Sequence, residues 1–197
     1  MKKTFYFVRH GETDWNSLGK IQGQTDIPLN ENGRVQARAL ASRLAGLGIE
    51  HIYSSPLLRA KETANIINEK VGVERIVVNP LIKEVSFGDL EGKVYEEFTD
   101  EFKRLFDAII RNGDNDLKTL CVSFPNGECF HEVFGRFQKF MQSIPDDEDN
   151  VLIVSHGAFI KASLVKYLTE RLSVKNCSCI KFKYDTETKV LSDFMCV

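Results

Sequence analysis

Apolar residues along the chain fall into two kinds of pattern, short unbroken runs and three-and-four spacings, which alternate and so predict strands alternating with helices. Residues 5–8, FYFV, read as a buried strand that stops abruptly at Arg9, His10 and Gly11. The Gly-, Asp-, Pro- and Asn-containing stretch 17–30 predicts a loop lying over that strand's end. Asn30 is placed to cap a helix over 30–47, with Val35, Leu40, Leu44 and Leu47 as its apolar stripe and Gly48 closing it. A second strand over 49–54 leads through Pro56, suited to a first helical turn, into a helix that buries Leu57, Ala60, Ala64 and Ile67. A third strand, 75–78, is ended by Asn79 and Pro80.

The second half continues the alternation less regularly. Residues 81–92 are irregular, with acids and two glycines. A helix is predicted over 96–111 with Phe98, Phe102, Leu105, Phe106 and Ile109 on one side, and 112–126 as a loop. Another spans 128–144, where Val133, Phe134, Phe137, Phe140, Met141 and Ile144 keep helical spacing. The acidic run 146–150 reads as a solvated turn. VLIV at 151–154 is the clearest strand, running into Ser155, His156 and Gly157 and then a helix through Leu168. Residues 181–184 and 190–194 predict a closing hairpin. The expected fold is α/β, with a largely parallel sheet covered by helices on both faces and an antiparallel edge.

Composition narrows the classes. The 197 residues show no repeat or composition shift, so one domain over 1–197 is expected. A net charge of −2 argues against a dedicated nucleic-acid surface, and any anion site must be built from a few local cations. No apolar run is long enough for a membrane span or a signal-peptide core, which leaves a cytoplasmic protein as the expectation. The five cysteines contain no CxxC and read as reduced core or strand residues, with Cys177 and Cys179 sharing a strand face. The four histidines show no metal-binding spacing, so no metal and no cofactor are expected.

The candidate chemistry gathers at strand ends, where open α/β sheets bind ligands. Strand 5–8 delivers Arg9 and His10, with Gly11 freeing the backbone for a sharp turn and close approach to a ligand. Strand 151–154 delivers His156 in the matching context SHG, at the start of a helix whose free amides favour an anion. Arg59 lies early in the helix after strand 49–54. Two histidines and two arginines suit phosphoryl transfer through a covalent histidine intermediate. His10 would attack phosphorus through an unprotonated nitrogen, with a backbone carbonyl holding the other. Arg9, Arg59, Asn16 and His156 would hold the phosphoryl oxygens. Glu84 is the expected proton donor, because a carboxyl facing bound phosphate has its neutral form favoured by the like charge. Glu12 and Glu91 are its rivals, and His131 is expected to be structural and partly exposed.

FVRHGETDWN at 7–16, QGQTDIPLNENGRVQA at 22–37, SSPLLRAKETA at 54–64, LIKEVSFGDLEG at 81–92, FPNGE at 124–128 and VLIVSHG at 151–157 together resemble the histidine phosphatase superfamily, the phosphoglycerate mutase-like proteins. The resemblance runs in order along almost the whole chain, weakest at 93–123 and after Leu168. It implies a three-layer α/β sandwich with a mostly parallel central sheet. It matches His10 to the phosphorylated histidine, His156 to the second histidine, Arg9 and Arg59 to the phosphate-pocket arginines, and Glu84 to the proton donor. Asn16, Gln22, Gly23 and Gly157 match positions of the phosphate and substrate pocket.

Phosphoglycerate mutases of this type carry extra segments, including an arginine pair and a proline-rich stretch, that resemble nothing here. EVSFGDLEGK at 84–93 looks like the phosphatase branch. The expected activity is therefore metal-independent hydrolysis of small-molecule phosphomonoesters by a monomer or homodimer, with 93–126, including Lys103, Arg104 and Lys118, capping the pocket and setting specificity. A bisphosphoglycerate-dependent phosphoglycerate mutase and a phospho-ligand binding protein without turnover are the alternatives.

Overall fold

The computed structural model describes residues 1–111, 117–167 and 173–197, without the side chains of 109, 111, 117 and 118. Its elements are β1 Lys2–Arg9, α1 Asp14–Ser17, α2 Glu31–Leu44, β2 His51–Ser54, α3 Leu58–Val71, β3 Ile76–Val78, α4 Asp100–Phe106, α5 Leu117–Leu120, α6 Phe130–Ser143, β4 Val151–Ser155, α7 Gly157–Leu164, β5 Cys179–Asp185 and β6 Leu191–Cys196. The sheet order is β3-β2-β4-β1-β5-β6; β1 to β4 are mutually parallel, and β5 and β6 form the antiparallel edge. Successive side chains of a strand point to opposite faces of its sheet, and β1 divides its own accordingly. Phe5 and Phe7 enter the core formed with α6 and α7, while Tyr6 and Val8 enter the core formed with α2 and α3. The result is a three-layer sandwich, as the strand and helix alternation predicts.

Register then sets the site. Arg9 pairs with Ser155, and the His10 amide donates to the Ser155 carbonyl at 3.0 Å, so the two His-Gly turns leave the sheet side by side. Ser54 pairs with Val154 on the other side of β4, bringing Ser55 and the start of α3 to the same level. The connection from β1 crosses to the β2 side and that from β4 to the β5 side. A crevice opens where connections diverge in this way.

Several predicted elements are corrected. The helix expected over 30–47 ends at Leu44, and Val35 and Leu47 are exposed; the buried side is Gly33, Ala37, Leu40, Ala41 and Leu44. A stripe of small residues lets α2 approach closely, and reading only the large apolar residues picked Val35, which is out of phase. The helix expected over 96–111 is broken into a 3-10 turn Tyr95–Glu97, α4, and a π-helical turn Asp107–Arg111. Thr99 caps α4 through the Phe102 amide, so Phe98 is buried before the helix begins. Leu120 and Phe124 are buried core residues inside the expected loop. The acidic turn is partly structural: the Asp149 carboxylate accepts from the Thr4 and Asn150 amides, and Glu148 accepts from the Tyr53 hydroxyl. Cys177 lies at φ 52° in a turn rather than on a strand with Cys179, and Cys121 and Cys196 are exposed. Ile109, Lys118, residues 112–116 and Leu168 lie outside the described residues.

Gly11 has a different role from the expected approach to a ligand. A Cβ there would lie 2.5 Å from the Gly33 carbonyl oxygen, and one on Gly33 would lie 2.1 Å from that of Glu12. The pair lets the turn after His10 pack backbone to backbone against α2.

Candidate active site

A cavity of about 170 Å³ opens at the carboxyl ends of β1 and β4. Arg9, His10, Asn16, Gln22, Gly23, Arg59, Glu84 and Gly157, eight of the nine residues expected at the site, line it. His156, the ninth, is fully buried just behind the wall, its ring centroid 5.1 Å from that of His10. Arg59 is also fully buried, which is costly for a cation unless its donors are satisfied. Its Nη1 donates to the Thr25 carbonyl at 2.8 Å and its Nη2 to that of Gly23 at 2.6 Å. Arg9 Nη1 donates to the Val174 carbonyl at 2.8 Å. The Nε donors of both arginines and Nδ1 of His156 are buried without a partner among the described residues. Donors held this way are set to receive an anion.

His10 takes the tautomer its neighbours dictate. Its Nδ1 lies 2.7 Å from the Gly11 carbonyl oxygen, which can only accept, so Nδ1 carries the proton and Nε2 carries the lone pair. Burial and then the charges of Arg59 and Arg9 hold the imidazole well below the usual histidine range, so it is neutral near pH 7. His156 is shifted the same way, by burial and then by Arg59, His10, Arg9 and Arg136. Burial brings Arg59 down to about 10, opposed by Glu84 and Asp26, and it remains a cation at neutral pH. Burial lowers Arg9 too, against the pull of Glu84 and Cys177.

These shifts make stability depend on pH. The unfolded chain protonates each histidine near 6.5, whereas the folded one resists protonation until well below that. The unfolded state therefore binds more protons as pH falls, and stability present above pH 6.5 is lost below it. The loss approaches about 1.4 kcal/mol per pH unit for each histidine. Urea unfolding at pH 7.5 and 5.5 is expected to show a drop of roughly 3 kcal/mol for the pair. Equal stability at the two values would contradict neutral burial of these rings.

Glu84 sits where the sequence placed an anion. The helix amides expected to be free at the start of α7 are taken by this carboxylate: Oε1 accepts from the Phe159 amide at 2.7 Å and the Val85 amide at 2.9 Å, and Oε2 from that of Ala158 at 3.2 Å. His156, although the N-cap residue of α7, makes no side-chain capping bond. Neither rival for the acid lines the cavity, and each carboxylate is held elsewhere. Glu91 accepts from the Gln24, Phe87 and Thr25 amides and the Thr25 hydroxyl, which Gly23, at φ 53°, permits by lacking a Cβ. Glu12 accepts from Asn30, Asn32 and Ser17, and these bonds, Asn30's first, hold its carboxyl below the usual range.

Four supports were not singled out as site residues from the sequence. Asn176 donates to the His10 carbonyl at 3.1 Å and to Asn16 Oδ1 at 3.2 Å, so the Asn16 amide nitrogen remains for a ligand. Thr63 accepts from the Gly11 amide and donates to the Arg59 carbonyl. Arg136 donates to Glu128 and to the carbonyls of Leu81, Lys83 and Glu84, clamping the acid loop. Ser55 Oγ lies 2.7 Å from His156 Nε2. Thr63 and Ser55 fall within recognisable blocks and Arg136 holds Glu128 of another, whereas Asn176 lies in a stretch with no periodic signal. His131 is exposed on α6. Among the described residues no group of three or more His, Cys, Asp or Glu side chains could hold a metal ion.

The family model described as the histidine phosphatase superfamily (branch 1) matches residues 5–196. The chain belongs to the histidine phosphatase superfamily. It is 36% identical over 188 residues to a probable phosphoglycerate mutase GpmB of Enterobacter sp., covering 91% of this chain and 84% of that protein. Among solved structures it resembles a histidine-to-alanine mutant of phosphoserine phosphatase from Entamoeba histolytica in complex with phosphoserine. That match has a TM-score of 0.76 and 30% identity, covering 97% of this chain and 95% of the other. It also resembles a Thermus thermophilus protein with a TM-score of 0.72 and 28% identity, covering 98% and 99%. A histidine phosphatase superfamily member with these relatives is a phosphoryl-transfer enzyme. No helix among the described residues is long and apolar enough to cross a membrane.

Proposed function

We propose that this protein is a metal-independent phosphatase that hydrolyses small-molecule phosphomonoesters through a phosphohistidine on His10. The observation that carries the reading is the His10 tautomer: with Nδ1–H committed to the Gly11 carbonyl, Nε2 is the nucleophile in the cavity. Nε2 attacks phosphorus, the P–O bond to the alcohol breaks, and Glu84 gives the departing oxygen its proton. Of its two oxygens Oε2 is the one to carry that proton, since Oε1 already accepts from two amides. Water then attacks phosphohistidine with Glu84 as base, releasing inorganic phosphate and restoring His10. Arg9, Arg59, Asn16 and His156 hold the equatorial oxygens, whose charge grows in the transition state. Phe106 and Ile110 line the cavity from the segment 93–126, which caps the pocket of a single domain and meets the organic half of the substrate.

A second reading has one specific observation in its favour, the likeness to proteins named probable phosphoglycerate mutase. Hydrolysis is preferred because the arginine-pair and proline-rich segments are missing and because a phosphoserine phosphatase is among the similar structures. The test is a panel of phosphomonoesters in EDTA, including 3-phosphoglycerate with and without 2,3-bisphosphoglycerate. Release of phosphate in EDTA, inhibited by vanadate, is expected. Primed conversion of 3- to 2-phosphoglycerate without phosphate release would establish the mutase. Tight phosphate binding with no turnover and no phosphohistidine would establish a binding protein.

A further inference from the structure

The Ser55 hydroxyl is buried, and its hydrogen bonds admit one consistent arrangement. The Leu57 amide donates to Oγ at 3.3 Å, which leaves the hydroxyl hydrogen to place. The remaining contact of Oγ among the described residues is His156 Nε2 at 2.7 Å. If Nε2 carried the proton, the Ser55 hydrogen would be buried without an acceptor and His156 Nδ1 would be a buried lone pair without a donor. If instead the hydroxyl donates to Nε2, both groups are satisfied and Nδ1–H remains as a third unpartnered N–H beside those of Arg9 and Arg59. We infer that Ser55 is a positioning residue, whose hydroxyl holds neutral His156 as the Nδ1–H tautomer so that this ring donates to the phosphoryl group on His10.

The inference rests on the proposed phosphatase reading for the identity of the ligand, but the tautomer itself is a property of the free protein. A lone pair aimed at a phosphoryl oxygen would repel it, whereas an N–H stabilises it without adding a charge that must be desolvated. The motif SSPLLR at 54–59 thus carries both a cation, Arg59, and the group that sets the proton of the second histidine.

Nitrogen NMR of the imidazole rings tests it without turnover. In 15N-labelled protein at pH 7.5, with His156 assigned by comparison with His156→Asn, Nδ1 of His156 is expected at a protonated shift and Nε2 at an unprotonated one. Inorganic phosphate should then move the Nδ1 proton downfield. Ser55→Ala is expected to release His156 toward the Nε2–H form and weaken phosphate binding at least about tenfold, the loss of one hydrogen bond to a charged group; Ser55→Thr should restore both. A wild-type His156 protonated on Nε2 would overturn the inference even if Ser55→Ala did not fold. So would an unchanged tautomer in Ser55→Ala, or a Nδ1 signal indifferent to phosphate. Each result stands whether or not the wild type hydrolyses any ester, so failure here is distinct from failure of the phosphatase reading.

Discussion

Replacing His10 by alanine is expected to reduce phosphate release by at least about ten-thousand-fold, because the proposed nucleophile is gone and, among the described residues, no other is placed to substitute. His51 is on the far end of β2, and His131 is exposed on α6. His156 has its Nε2 held against the Ser55 hydroxyl, turned away from the attacking position. The loss should fall on turnover rather than on binding. Arg9 and Arg59 are held by the Val174, Thr25 and Gly23 carbonyls independently of His10. His10→Ala should therefore bind inorganic phosphate within about tenfold of the wild type, while acid-labile phosphoenzyme, trapped by rapid quench, disappears. Turnover above roughly a hundredth of the wild-type rate would place the nucleophile elsewhere.

Glu84→Gln is the second large effect, and its size should depend on the leaving group. General acid catalysis contributes about 10²–10⁴-fold where the departing oxygen needs a proton. An alkyl phosphate should show that loss, whereas p-nitrophenyl phosphate, whose leaving group departs as a stable anion, should lose less than about tenfold in phosphoenzyme formation. The geometry supplies a structural explanation that must be separated from the chemical one. Glu84 also accepts from three backbone amides at the start of α7. Glutamine can keep the Val85 and Phe159 amides on its oxygen but would turn an NH2 toward the Ala158 amide. A modest stability loss, of about 1 kcal/mol, is expected. An equal drop in rate for both esters would show that Glu84 only anchors the helix.

The sheet was legible because its central strands are buried on both faces: FYFV and VLIV are continuous apolar runs, and they alternate with helix spacings. The two His-Gly contexts marked their carboxyl ends. Less legible was α2, where Gly33, Ala37 and Ala41 rather than large residues form the contact surface. Hydrophobicity does not flag residues chosen for smallness. The segment 96–111 kept helical spacing yet broke, because Thr99 offers a cap within the run and Phe98 finds the core before the helix starts.

Charge was harder to read than shape. The sequence points to Glu84 as a carboxyl beside the expected phosphate pocket, but the α7 amides that it offers to an incoming anion prove to be Glu84's own partners. Asn176, which holds both the His10 carbonyl and Asn16, lies 166 residues from His10 and carries no pattern.

The α/β alternation, the strand ends that carry Arg9, His10 and His156, and the family can all be read from the chain alone. Local periodicity and short motifs encode those, since each depends on neighbours within a few residues. The tertiary fold sets what faces each histidine nitrogen, which carbonyls pin the two buried arginines, and what partners Glu84. These depend on single donors and acceptors brought together from distant parts of the chain, and a hydrogen bond is specified by position to a fraction of an ångström, which no spacing along the chain records.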